Sequence, residues 1–478
     1  MSQLNAGIAR IDITNYAAGE PNDPLYAKAL VLQDSATTIV LVTVDAVATE
    51  EIGSVPNCYL ECVRSRLYGD LSIPRESVII SASHCHGSVC EDIEDRTVQV
   101  VKEAWERTVP VKAGTGVGFE NTIMENRRMR LRDGREADVR RAYSFPPDEE
   151  VEAVGPVDPE IGVLRLDKEN GECLAAVYNF ACHPIKGVPN GGNTSDLVGF
   201  ASKVIEDNLC DETMAFFLQG CGADINPIFY KDVNYPPDAE SLGHKLGLNT
   251  VKALRDVQCN DNQVLRLIHL DTELPRANLA PFIEKLEAEQ EDLLEALQAT
   301  TLNLKAYLPL VLKHKLSPDH PSYDFSRYLH EKQMRKENLA HLDSENRSHL
   351  DTYTKNIYIM EALTRVRANL NLLKKNHSKN EAAGKDTIDI ELVGLRVGDF
   401  VLITFPGELS VQIGQNIKTN SSHHHTFIAS VTNGYIYYCP TEEQLKNRGY
   451  AQEDSDCLVA EGWQSVFESK AAEILERV

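Results

Sequence analysis

The chain has 478 residues, a formal net charge of −24 at pH 7, and 42% hydrophobic and 25% charged side chains. That is the balance of a soluble globular protein with a large core, and the negative charge excludes nucleic acid and anionic membrane surfaces as partners, since both would repel it. No apolar stretch approaches the ~20 residues of a membrane span. The opening Met1-Ser2-Gln3-Leu4-Asn5-Ala6-Gly7 has no basic-then-apolar leader pattern, and the 11 cysteines, without CxxC pairs, read as reduced thiols of a cytoplasmic protein.

Up to residue 270, strand-like and helix-like segments alternate, the pattern of an α/β fold. Apolar runs at 38–44, 78–83, 175–181 and 214–218 have the length and composition of buried strands. Helices are expected at 56–68, with Pro56 in the first turn, at 94–107, and at 195–207, where Ser195 and Asp196 form an N-cap region. Residues 113–160 are polar, rich in Arg and Glu, and contain Pro146-Pro147. They read as a long loop over the sheet.

From 277 to 380 the pattern changes. Apolar residues recur at helical spacing over 282–297 and 330–373, around a turn-prone stretch with Pro318, His320 and Pro321. Two or three long helices packed as a hairpin are expected, as a structural or dimerising arm or, alternatively, a lid. Strand-like runs resume at 400–405 and 426–432, and an amphipathic helix is expected at 462–476. The expected fold is therefore α/β, a layered β-sheet core flanked by helices with a long helical insertion. Residues 1–270 and 386–478 make up the catalytic domain and 271–385 the insertion.

Each of these strand-like runs ends in a short polar cluster, and ligands of open α/β sheets bind beyond the carboxyl ends of strands. Convergence of those ends would gather His84, His183, Glu408 and Tyr438 as metal ligands. The run at 38–44 ends at Asp45, a second-shell candidate or a turn cap. The run at 78–83 leads to His84-Cys85-His86. Two imidazoles on one face can share a metal, or one can bind it while the other donates to substrate; satisfied structural histidines are the alternative. His183 is presented by the turn that Pro184 fixes, and a plain turn histidine is the alternative. Pro406-Gly407-Glu408 aims a carboxylate suited to zinc, against a surface glutamate or a helix opening. At Gly434–Pro440 a phenol is an uncommon but workable ligand, against aromatic packing. Cys85 and Cys182 read as packed away from the site, while Cys221 has no face assignment.

Taken in order, these motifs resemble the neutral/alkaline, non-lysosomal ceramidase family. The resemblance runs through residues 6–14 and 23–32, Ser83-His84-Cys85-His86, Glu125-Asn126-Arg127 and residues 179–184. It continues through 219–227, Pro406-Gly407-Glu408 and 433–443. It implies one catalytic zinc held by His84, His183, Glu408 and Tyr438, with His86 and Arg127 close to the scissile carbonyl. Two departures stand out. Asn226 replaces a serine of the family motif, and the chain leaves no room after the tyrosine motif for the family's additional C-terminal sandwich domain. Both point away from ceramide as substrate and from attack by a serine.

The expected activity is a zinc-dependent amidohydrolase that cleaves a small or medium N-acyl compound with metal-activated water. His86, Arg127 and Asn226 would stabilise the oxyanion, and Asp224 or Asp196 would orient a ligand histidine or shuttle protons. An esterase or lactonase on the same scaffold, or a non-catalytic metabolite-binding descendant, are the alternatives. The expected partners are a small-molecule substrate and a second copy of the chain through the helical insertion.

Overall fold

A computed structural model describes residues 3–138, 145–261 and 264–478. The apolar runs all form strands: Thr38–Val44, Val78–Ala82, Cys173–Phe180, Met214–Gln219, Phe400–Thr404 and His425–Ala429. They pair in parallel, Thr38–Val44 with Val78–Ala82, Cys173–Phe180 with Met214–Gln219, and Phe400–Thr404 with His425–Ala429. The remaining pairings in their sheets are antiparallel. Strands buried on both faces read as continuous apolar runs, which is why the sequence pattern marks these first. Parallel neighbours also bring their carboxyl ends side by side.

The first and third pairs belong to different sheets. An eight-stranded sheet carries Val78–Ala82 at one end and Met214–Gln219 at the other, and a four-stranded sheet holds Leu265–Pro275, Thr387–Val397, Phe400–Thr404 and His425–Ala429. The two pack face to face, with Leu41, Leu166 and Val177 against Val393, Leu402 and Phe427. Gly162 permits the close approach, because a Cβ there would sit 2.2 Å from a ring carbon of Phe427. Helices Tyr59–Leu71 and Ile93–Glu106 cover one half of the large sheet, with Val63, Leu67 and Val101 on Val31, Val42 and Ile80. Asp196–Asn208 and Ala239–Asp256 cover the other half. The C-terminal helix Trp463–Arg477 closes the small sheet with Trp463, Phe467 and Ile474. Helices, sheet, sheet and helix thus stack in layers, the expected α/β class.

The expected loop over 113–160 is corrected. Apart from residues 139–144, which lie outside the described residues, it contains the end of strand Val109–Phe119 and the short strands Met124–Asn126, Arg128–Leu131, Glu136–Asp138 and Val151–Val154. These strands are half-exposed and polar, so they carry no continuous apolar signal.

Helices Ala280–Ala296, Leu304–Leu316, Ser326–Gln333 and the 45-residue Asn338–Ala382 lie between Leu265–Pro275 and Thr387–Val397, which pair with each other. Leu286 of the first helix packs on Val366, Leu370 and Leu373 of the last. The inner end of the long helix is tied down by asparagines. Asn369 Nδ2 donates to Tyr450 O at 3.1 Å, Asn376 Nδ2 to Ser455 O at 3.2 Å, and Asn380 Nδ2 to Ala277 O at 2.8 Å. Among the described residues, no helix is long and apolar enough to cross a membrane.

Candidate active site

The loops leaving the parallel strand pairs meet at a cavity of about 390 Å³ whose wall includes His84, His86, Arg127, His183, Glu408 and Tyr438. His84 follows Val78–Ala82 and turns out of the strand with a φ of 68°. Its backbone N–H donates to Ala46 O at 2.9 Å and its Nδ1 to Val47 O at 2.6 Å. His183 follows Cys173–Phe180, and its Nδ1 donates to Ile225 O at 3.1 Å. A carbonyl only accepts, so each ring donates from Nδ1 and turns its Nε2 inward as the atom able to ligate a metal. Both Nε2 atoms face Glu408 Oε2, His84 at 3.3 Å and His183 at 3.0 Å.

Glu408 stands on the short strand Glu408–Leu409, paired in parallel with Tyr438–Cys439, and Glu408 and Tyr438 are register partners. The Tyr435 hydroxyl donates to Glu408 Oε1 at 2.5 Å. Tyr438 has a different neighbour, since its hydroxyl accepts from Arg127 Nη2 at 3.2 Å. His86 is exposed in the cavity, its ring centroid 5.9 Å from that of His84.

His84, His183 and Glu408 offer three ligand atoms within 4.8 Å of one another, all buried. Burial opposes charge on each. For His84 the Glu408 carboxylate outweighs burial and raises the pKa, while burial and then Arg127 push His183 down to about 4. Burial opposes ionisation of Glu408 as well, yet the two imidazoles hold it well below the usual carboxylate range. The group therefore attracts positive charge with more lone pairs than one proton can engage. A divalent cation meets that demand, and two imidazoles with one carboxylate are a recurrent donor set of catalytic zinc. The residues fit the expected ion.

Arg127 is almost fully buried behind the cavity wall. Its Nε donates to Glu453 Oε1 at 2.5 Å, its Nη1 to Asn226 Oδ1 at 3.0 Å, and its Nη2 to Ala223 O and Tyr438. Asn226 thus meets the site through Arg127. Asp224 accepts from Asn126 Nδ2 at 3.2 Å and from Val411 N, the first residue of helix Val411–Asn420, at 2.9 Å. It clamps three chain segments around the site, and burial followed by repulsion from Glu453 lifts its pKa to about 6. Asp196 accepts from the backbone of Lys186, Gly187 and Leu197. The histidine Nδ1 atoms face backbone carbonyls rather than either aspartate, which differs from the expected carboxylate support. Asp45 accepts from Tyr26 N at 2.9 Å, the turn-capping role. Cys85, Cys182, Cys221 and Cys439 are packed in apolar clusters.

Sequence reasoning passed over Tyr435, Glu453, Lys231, Lys375 and Asp456. Tyr435 lay inside the motif but was indistinguishable from its tyrosine neighbours. Glu453 is 326 residues from Arg127, and no spacing rule joins them.

No protein-family model and no curated protein sequence matches the chain. Solved structures do match it. Neutral ceramidase from Pseudomonas aeruginosa superposes on 100% of this chain and 75% of its own, with a TM-score of 0.60 and 15% identity. A ceramidase complexed with C2 covers 100% of this chain and 76% of its own, with a TM-score of 0.59 and 16% identity. In fold, this chain is of the neutral ceramidase type along its full length.

Proposed function

We propose that this protein is a zinc-dependent hydrolase that cleaves the amide bond of a small or medium N-acyl compound. The observation that carries the reading is the pair of inward-facing Nε2 atoms, held in place by backbone carbonyls at Nδ1 and aimed at one buried carboxylate. His84, His183 and Glu408 would hold the ion, with Tyr438 as fourth ligand from the strand beside Glu408. Zinc held there would supply Lewis acidity for a bound water and for a carbonyl.

The chain's own residues do the rest. His86, exposed in the cavity, donates a hydrogen bond to the carbonyl oxygen as negative charge develops on it. Arg127 adds a fixed positive charge behind it and orients the Tyr438 hydroxyl. Asn226 and Asp224 are positioning groups, the first through Arg127 and the second through Asn126 and Val411 N. Purified protein should contain near-stoichiometric zinc and turn over N-acyl substrates in a matched amide and ester panel. A protein that binds no zinc, or that hydrolyses only the esters, sinks the amidase reading.

We further propose a division into a catalytic unit, 1–270 with 386–478, and a helical arm, 271–385, that joins two copies of the chain. Leu304, Leu308, Leu312 and Leu316 recur at i, i+4 on the arm and are all exposed. Light scattering should give a dimer mass that L308K/L312K lowers to a monomer; a monomeric parent protein rules the interface out. The 11 unpaired cysteines support a reducing, cytoplasmic setting, and recovery of the native protein outside the cytoplasm on cell fractionation would contradict that.

A further inference from the structure

We propose that the substrate carries an anionic group, a carboxylate in the simplest case, which binds at the mouth of the cavity between Lys375 and Lys231. This rests on the hydrolase reading above and narrows its substrate class.

The cavity wall is poor in aliphatic surface. Val47, Ile52 and Ile185 are its aliphatic side chains, and the rest is tyrosine, histidine and charged groups. A long acyl chain gains about 0.8 kcal/mol per buried methylene only where apolar walls receive it, and this wall offers few. The same wall carries Arg127, Lys231 and Lys375 against two carboxylates, Glu408 and Asp456, in a chain whose net charge is −24. Cationic groups gathered in a cleft of an acidic protein focus the field on an anionic ligand.

Lys375 comes from the helical insertion, and its place is fixed. The next residue, Asn376, is fully buried and donates to Ser455 O at 3.2 Å and to Asp456 Oδ1 at 3.1 Å. Asn369 and Asn380 bind the same helix two turns before and one turn after. Held so, Lys375 places its ammonium 4.4 Å from the Tyr437 ring centroid and 4.0 Å from Asp456 Oδ1. Asp456 also accepts from Asn376. Lys379, one turn on, is paired with Glu51. Lys231 arrives from the opposite side of the sequence, on the loop after Ile225–Pro227, exposed and with its ammonium 5.0 Å from the Tyr230 ring centroid. The base of the arm is thus part of the binding wall.

The test is calorimetric titration of the full-length, metal-loaded protein with 4-oxononanoic acid and with 4-oxononanamide, ketone analogues of an N-acylglycine in which a methylene replaces the scissile N–H and which differ from each other in one charge. The carboxylate should bind about tenfold more tightly, and raising salt from about 50 mM to about 500 mM should erode the preference. K375M and K231M should each cut the preference roughly three- to tenfold, K375R should retain it, and unchanged melting temperatures would show that the variants fold. Equal or weaker affinity for the carboxylate, no binding of it, or a preference untouched in both Met variants overturns the proposal. Because binding is read without turnover, a carboxylate preference with no hydrolysis of any amide or ester supports this inference while refuting the hydrolase reading.

Discussion

Glu453→Gln removes one charge from the ionic cluster behind the cavity at almost no change in shape. Glu453 accepts from Arg127 Nε at 2.5 Å and from Arg128 Nε at 2.9 Å, and the three side chains are each 1–2% exposed. Taking one partner from a buried pair costs ~3–5 kcal/mol, because the other charge stays behind without compensation. Here a neighbour offsets part of that cost. Burial, aided by repulsion from Glu453, holds Asp454 up at about 7, although Arg128 pulls it down. In the variant the repulsion is gone, so Asp454 ionises more readily and serves as counter-ion to Arg128, which already reaches its Oδ2 at 3.2 Å. The sign follows from linkage. A carboxyl raised in the folded state contributes stability that is full below its unfolded pKa, near 3.8, and is lost as pH rises through about 7. The variant loses less across that window, so its deficit relative to the parent is larger near pH 5, at ~4 kcal/mol, than near pH 8, at ~2 kcal/mol. Urea unfolding followed by circular dichroism at the two pH values measures both. A deficit below ~1 kcal/mol at either pH, or one that grows with pH, refutes the idea that this buried cluster fixes Arg127.

Other substitutions separate metal binding from framework. H84A, H183A and E408Q should each lose zinc by elemental analysis while keeping their circular dichroism spectra; the measurement belongs in a C58S background, since Cys58, Cys62 and Glu94 form a second, more exposed group able to take a metal. Full zinc content in any of the three counts against the ligand assignment. N226A should slow turnover ~10-fold with zinc retained, by loosening Arg127, and an unchanged rate would reduce Asn226 to a turn residue. Burial opposes the charge on Glu391, but Arg64 and His269 outweigh it and hold its pKa at about 2. Its contribution, ~3 kcal/mol, is present above the unfolded value near 4.5 and lost as pH falls towards 2, so E391Q should flatten the acid limb of the stability curve.

The sheet core was legible because burial on both faces writes itself into the sequence as unbroken apolar runs. Periodicity likewise places helices within a few residues: it predicts 94–107 against the observed Ile93–Glu106, and 462–476 against Trp463–Arg477. Pro56 misled at the first helix, which starts at Tyr59. The strands within 113–160 were lost because they are short and half-exposed, and polar alternation over three or four residues is no signal. At the site, residue identity was readable but support was not. The groups that fix the two histidines are backbone carbonyls of Val47 and Ile225, and a carbonyl has no sequence signature.

What aims the site is strain that the surrounding ladders tolerate. His84, Val431, Asn433 and Tyr437 all sit at positive φ, between 52° and 68°, at the ends of strands that feed the cavity. Non-glycine residues in this region cost ~1–3 kcal/mol each and persist only where neighbours over-determine them. Each has such neighbours. His84 N donates to Ala46 O at 2.9 Å, Val431 N to Gly407 O at 3.1 Å, and Tyr437 O accepts from Glu408 N at 2.9 Å. Asn433 exchanges bonds with Ile80, its N–H reaching Ile80 O at 2.9 Å and its Oδ1 accepting from Ile80 N at 2.7 Å. The Asn433–Ile80 pair runs between the two sheets, from the strand before His84 to the loop before Tyr438. The packing of one sheet on the other therefore sets the distance between the histidines and Glu408, and a loosening of that packing would disperse the group before it unfolded the chain.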